Sequence, residues 1–216
     1  MKVFITGIAG MLGCNIAYEL KDKYIISGVD LINVDMSGIE TYTFDMLDYE
    51  KLSNCIKNIK PDIIIHTAAA VNVDKCEVEP EYAKKLNVDL TESICHISRE
   101  INAKVIYIST DAVFDGEDSE LYCETDILNP INIYGKTKLE GEYIVARYKN
   151  NLILRTNIYG FNIQDKNSFG EWIYKSLMQN QSLNMFDDID FSPILVKGIV
   201  RIKIFNSSRL GRSTFL

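Results

Sequence analysis

Short, unbroken apolar runs alternate along this chain with longer stretches in which apolar residues recur every three or four positions. The runs at 2–6, 24–30, 62–66, 104–109 and 151–155 have strand length and carry apolar residues on both alternating sets of positions, the pattern of strands covered on two faces. A weaker run at 41–44 predicts one more strand. Leu12, Ile16, Ala17 and Leu20 place a helix over 11–21, and 48–59 reads as a second helix, broken by Pro61. The clearest helical spacing runs over 81–101, through Ala83, Leu86, Leu90, Ile94, Ile97 and Ile101. A further helix is predicted over 132–149. Strands separated by helices give an α/β fold class, a doubly wound parallel sheet with helices on both faces.

Chemistry gathers at the joints of this pattern. Gly7, Gly10 and Gly13 follow the first strand and open the first helix. Glycine permits the tight turn and the close approach of a pyrophosphate, and the helix N-terminus adds partial positive charge. Asp30 ends the second strand, where an acid can hold a ribose 2′-hydroxyl and repel a 2′-phosphate; no Arg or Lys follows in Leu31-Ile32-Asn33. Asp45 and Met46, after the third strand, could sit beside an adenine, although an Asp in a turn needs no such explanation. Tyr134 and Lys138 lie four apart on the helix over 132–149 and so share a face. An ammonium near a phenol favours the phenolate, which predicts a lowered Tyr134 pKa and proton exchange with a substrate oxygen.

Composition narrows the classes. The 216 residues are 47% hydrophobic and 25% charged, as in a soluble globular protein, and a net charge of −7 without a basic stripe argues against nucleic acid as partner. Cys14, Cys55, Cys76, Cys95 and Cys123 are scattered and odd in number, which predicts reduced thiols in a cytoplasmic protein with no disulfide framework. His66 and His96 lack ligand-spaced partners, so no metal site is expected. No apolar run is long enough to span a bilayer, and the first strand runs straight into the glycine turn, leaving no room for a signal peptide.

Several further segments turn this into a resemblance. Residues 68–77 (Ala-Ala-Ala-Val-Asn-Val-Asp-Lys-Cys-Glu) resemble a fourth-strand exit flanking a dinucleotide in the extended short-chain dehydrogenase/reductase family. Residues 109–116 (Ser-Thr-Asp-Ala-Val-Phe-Asp-Gly) resemble the fifth-strand exit of the dTDP-4-dehydrorhamnose reductases within it, and 133–142 with Arg155-Thr156 complete the likeness. It covers residues 1 to about 186 and implies a Rossmann-like fold binding NAD(H) or NADP(H) and reducing a nucleotide-linked 4-keto-deoxysugar. By matched position, Thr110 bonds the reacting carbonyl, Asp111 lies beside the sugar, Tyr134 donates the proton, and Lys138 holds the nicotinamide ribose. Gly7, Gly10, Met11, Leu12, Gly13, Asp30, Asp45, Met46, Ala69, Ala70 and Val71 fall on cofactor positions. Asn87 is either part of a proton relay or a buried, satisfied amide.

The chain departs from the family's pattern at two rings and at its end. Ala112 and Ile158 stand where rhamnose-forming members usually carry an aromatic residue and a tryptophan, so the individual sugar stays open. An epimerase or dehydratase, or a non-catalytic sugar-nucleotide-binding subunit, are the alternatives on the same scaffold. Residues 197–216 carry five basic and no acidic groups, against 18 and 30 before them, and the stretch from 205 shows no period. We therefore expect a dinucleotide-binding domain over 1–186. Residues 187–216 are expected to form an incomplete, truncated C-terminal substrate lobe ending in a disordered tail. Trp172, Ile173, Leu177 and Phe186 should then be left partly uncovered, so that the chain self-associates, as in a homo-oligomer, or needs a partner to stay soluble.

Overall fold

The architecture was determined in a computed structural model that describes residues 1–117, 121–162, 168–185, 192–201 and 213–215. Strands β1 (Lys2–Thr6), β2 (Ile25–Asp30), β3 (Glu40–Thr43), β4 (Ile63–His66), β5 (Lys104–Ser109) and β6 (Leu152–Arg155) pair in parallel, with β9 (Ser213–Phe215) on the far edge, in the order β3-β2-β1-β4-β5-β6-β9. A short parallel pair, β7 (Asn157–Tyr159) with β8 (Pro193–Leu195), lies apart.

Side chains leave a strand alternately to its two faces, and here both faces are apolar. Val3, Ile5, Ile63, Ile65, Ile106, Leu152 and Leu154 enter one core layer. It is covered by α1 (Met11–Leu20) and α8 (Val196–Arg201) through Leu12, Ile16, Val196 and Ile199. Phe4, Ile64, Val105, Tyr107 and Ile153 enter the opposite layer. It is closed by α2 (Tyr49–Ile59), α5 (Leu90–Glu100) and α6 (Ile133–Ala146), through residues such as Leu52, Ile56, Leu90, Ile94, Ile144 and Val145. That two-sided burial is why the strands read as continuous apolar runs.

The helix expected over 81–101 is present but not uniform. It comprises α4 (Pro80–Lys84), a π-helical turn over Lys85–Asp89, and α5. The extra residue of a π turn escapes a count of threes and fours because the apolar positions on either side keep their step. The short α3 (Val73–Val78), capped by Asn72 on Lys75 N at 2.8 Å, lies inside the fourth-strand exit. Two expectations for the C-terminal part change. The first core layer does not stop at 186, since Val196 and Ile199 are fully buried in it. The tail, expected to be disordered, contributes β9, because the open edge of β6 offers a ladder to a three-residue extended segment. Phe186 lies outside the described residues.

Candidate functional site

Parallel pairing brings the strand exits to one edge: Thr6 stands beside both Val29 and His66, and His66 beside Tyr107. Crevices outside the carboxyl ends of such strands are where open α/β sheets hold ligands. Gly7 sits at φ +74°, and a Cβ there would lie 2.9 Å from Ala68 N. A Cβ on Gly13 would run into the Gly7 carbonyl, and one on Gly10 would press the same oxygen at 3.2 Å. The turn is thus folded onto itself more closely than any side chain allows. Its anchor is the second strand, with Gly7 N donating to Val29 O at 2.8 Å. Asp30 accepts from Ala9 N at 2.9 Å and from Ile32 N at 3.2 Å, which fixes its carboxylate against the turn. Gly10 caps α1 without a side chain and no acid lies in the helix's first turn, but the Asp30 carboxylate, held on Ala9 N, stands just before its positive end. These features fit a dinucleotide pyrophosphate with a ribose at Asp30. Ala9 was not singled out from the sequence, because a backbone N–H leaves no trace in residue type.

Helix α6 carries the second half of the site. Asn132 caps it through Gly135 N at 2.7 Å, and Glu77 of α3 accepts from Ile133 N at 2.6 Å. Gly135 lets the turn after β5 pack down on the helix, since a Cβ there would collide with the Ala112 carbonyl. This contact brings Thr110 up to Tyr134, where its hydroxyl favours ionisation of the phenol. Thr110 donates to Asp111 at 3.1 Å and accepts from Ala112 N at 3.1 Å.

The expected lowering of the Tyr134 pKa is not what this geometry produces. Burial pushes the phenol up to about 12, with the Asp111 charge adding to it and the Thr110 hydrogen bond opposing it. Lys138 reaches instead to the sheet, donating to Ile108 O at 2.7 Å with its ammonium 4.0 Å over the Tyr107 ring. Burial pushes the Lys138 ammonium down to about 7, against the pull of Glu142. Tyr134 is consequently a protonated phenol at neutral pH, and a weaker acid than a free phenol.

Beneath these groups lies a buried polar frame. Glu142, one turn beyond Lys138, accepts from Ser109 at 2.5 Å and from Arg155 at 2.7 and 3.0 Å. Both partners of the ion pair are nearly inaccessible. His66 bonds Thr6 through Nδ1 at 2.8 Å and Thr91 through Nε2 at 3.0 Å. Thr91 donates to Asn87 O at 2.8 Å, so His66 carries its proton on Nε2 and accepts from Thr6 on Nδ1. Asn87, in the π turn, accepts from Ala70 N at 2.8 Å and donates to Ala70 O and to Thr137 at 3.2 and 3.0 Å. Of the two readings of Asn87, the satisfied buried amide is the one its bonds describe.

The remaining sequence-predicted positions divide by exposure. Met11 and Ala69 are half-buried, Leu12 and Ala70 are buried, and Val71 is exposed. Asp45 is exposed and its carboxylate accepts from Leu47 N at 2.9 Å, a turn contact. The Met46 side chain is buried against Leu52 and Ile56, so only its backbone is left to face a ligand. Among the described residues no cluster of His, Cys, Asp and Glu could hold a metal ion, and no helix is long and apolar enough to cross a membrane.

A family model described as the RmlD substrate binding domain matches residues 1–210. dTDP-4-dehydrorhamnose reductase of Escherichia coli (strain K12) is 32% identical over 190 residues, covering 87% of this chain and 60% of that protein. Methionine adenosyltransferase 2 subunit beta of Bos taurus is 34% identical over 195 residues, covering 88% and 53%. The crystal structure of dTDP-4-dehydrorhamnose reductase from Bacillus anthracis in complex with NADP superposes with a TM-score of 0.86 at 29% identity, over 100% of this chain and 73% of that one. The chain spans about 60% of the length of the curated Escherichia coli, Shigella and Salmonella reductases it matches. By the family match, this chain belongs to the RmlD substrate binding domain family, within the extended short-chain dehydrogenases/reductases.

Proposed function

We propose that this chain supplies the dinucleotide-binding and proton-donating part of a cytoplasmic reductase of a nucleotide-linked 4-keto-deoxysugar, similar to dTDP-4-dehydrorhamnose reductase. The observation that carries the reading is the meeting of Thr110 with Tyr134, one helical turn from Lys138, on the sheet edge that also holds the folded glycine turn and Asp30. In this reading residues 1–186 bind the dinucleotide and 187–216 lead toward the substrate side, with α8 anchoring them on α1.

A bound NAD(H) or NADP(H) supplies hydride at its nicotinamide. The chain's own groups do the rest. Gly7, Gly10 and Gly13 admit the pyrophosphate to the backbone, with Met11, Leu12, Ala69, Ala70, Val71, Asp45 and Met46 around it. Asp30 receives the ribose hydroxyl, and its charge disfavours a 2′-phosphate, so NAD(H) binds at least as tightly as NADP(H). Thr110 and Asp111 address the sugar, Thr110 toward the ketone oxygen. Tyr134, a protonated phenol, gives its proton to that oxygen. Lys138 lies within one turn of Tyr134 and holds the nicotinamide ribose.

The test is net oxidation of NADH or NADPH by the purified chain with a dTDP-linked 4-keto-6-deoxysugar, followed by loss of absorbance. Stoichiometric oxidation supports the reductase. Interconversion of sugars with no net oxidation would assign the site to an epimerase instead. Tight dinucleotide binding without either reaction would mark a binding subunit.

A further inference from the structure

Glu77 closes the start of the helix that carries Tyr134, and it does so from the dinucleotide side of the site. Its carboxylate accepts from Ile133 N, the first amide of α6, at 2.6 Å, across 56 residues of sequence. α6 has no acid in its own first turn, so this carboxylate is brought to its positive end by α3. Asn132 takes Gly135 N at 2.7 Å. Tyr134 therefore lies between two backbone amides, each held by a side chain of fixed length.

The segment that bears Glu77 is itself firmly seated. α3 follows Ala69, Ala70 and Val71 in the chain and starts at the Asn72 cap. Cys76 is fully buried with Ala70 and Ala83, and the side chains of Ile133 and Tyr134 pack against this cluster. The proposed wall of the dinucleotide site and the seat of the phenol ring are thus one piece of chain. Asn87 grips Ala70 through both its N–H and its carbonyl, and reaches α6 at Thr137. Segment 70–77 is therefore tied to α6 at Ile133 and at Thr137, roughly one turn apart, with Tyr134 between the ties. Asn87 is buried and Glu77 is exposed, so Glu77 can be exchanged with little disturbance of the core.

We propose that Glu77 is a positioning residue: by pinning Ile133 N it holds the first turn of α6, and with it the Tyr134 phenol, against the dinucleotide wall. The proposal rests on the catalytic reading above for its purpose, but not for its test. With ¹³Cζ-labelled tyrosine in the whole chain, the Tyr134 signal is identified by its loss in Tyr134→Phe, and its position reports the surroundings of the phenol. Three variants separate reach from charge. Glu77→Ala removes the acceptor and should move the signal. Glu77→Asp keeps the charge on a shorter stem and should move it in the same sense. Glu77→Gln loses the charge but keeps an oxygen at the same reach, so its signal should stay near the parent position. Urea midpoints should remain close to the parent in all three, and the aspartate and glutamine variants carry the comparison should the alanine variant not fold. In turnover, Glu77→Ala and Glu77→Asp should lower kcat about tenfold with KM little changed, on the scale of one hydrogen bond to a charged group, while Glu77→Gln keeps most of the parent rate. An unmoved signal in the alanine and aspartate variants, or a glutamine variant displaced as far as they are, overturns the proposal. Retained turnover in Tyr134→Phe would instead overturn the catalytic reading and leave the signals to decide on Glu77.

Discussion

Helices α6 and α7 (Phe169–Met178) start equally well and end up in opposite surroundings. Asn132 and Glu77 satisfy the first amides of α6, and Ser168 with Glu171 forms a capping box on α7, the serine accepting from Glu171 N at 3.2 Å. Yet α6 buries Lys138 and Glu142, whereas α7 buries only Ser176 and leaves Phe169, Trp172, Tyr174, Leu177 and Met178 exposed. Capping decides that a helix forms at this place; packing decides what it is for. In α6 charged groups are enclosed until only fixed partners remain, the condition for directing protons. In α7 apolar groups lie open, the condition for meeting another surface.

The largest test of this contrast lies on α6. Tyr134→Phe removes one oxygen and keeps the ring, so folding and dinucleotide affinity should hardly change while turnover falls by about 10²–10⁴-fold. Steady-state kinetics beside a dinucleotide titration checks it. Equal turnover in parent and variant would remove α6 from the chemistry.

Next in size is the enclosed ion pair under α6. Arg155→Met leaves Glu142 buried without its main partner, and such a loss costs about 3–5 kcal/mol. The exposed pair of Lys57 with Glu100, though as short at 2.6 Å, should lose far less on Lys57→Met, because water screens it. Urea unfolding of the two variants compares burial directly. Similar midpoints would mean that enclosure contributes nothing special to this helix.

Much of this was legible in the residues, and the unread parts share a cause. Apolar runs and periods gave strands β1–β6 and, apart from the short α3, the α-helices of the first 155 residues, because two-sided burial writes itself into residue type. Gly7, Gly10, Gly13 and Asp30 were readable because a positive φ, a close approach and a charged strand end each demand particular residues. The direction of the Tyr134 shift was not readable. Spacing puts Lys138 on the same helix face but says nothing of the Ile108 carbonyl that draws its ammonium to the sheet. The contact of Glu77 with Ile133 and the Ser109–Glu142–Arg155 cluster were missed for the same reason, since their partners are remote in sequence.

A smaller effect concerns the buried polar line from β1 to the π turn. Burial, with help from the Lys138 charge, pushes His66 down to about 3, whereas an unfolded histidine takes its proton near 6.5. Between those values the unfolded chain binds more protons, so stability falls as pH drops through this window. His66→Gln has no such proton to exclude. The variant should be less stable at pH 7 for want of the Thr6 and Thr91 bonds, and the gap to the parent should narrow by about 1–2 kcal/mol by pH 5. Urea midpoints at pH 7, 6 and 5 decide it, and a constant gap would show that His66 titrates as though exposed.

The smallest expected change in stability is on α7, and it tests the contrast from the other side. Trp172 and Leu177 are 39% and 63% exposed, so Trp172→Ser with Leu177→Ser removes little packing. Exposed substitutions usually stay within about 0.5 kcal/mol, although serine also lowers helix propensity by a few tenths at each site. Stability should therefore fall by roughly 1 kcal/mol or less. Association should respond more strongly, because Tyr159 and Phe161 precede the helix and are exposed as well, which adds to the apolar area. Light scattering at tens of micromolar should show the parent self-associating and the double variant shifted toward monomer. A loss of several kcal/mol would mean that α7 is packed like α6, and a parent already monomeric would mean that its open face draws no second copy.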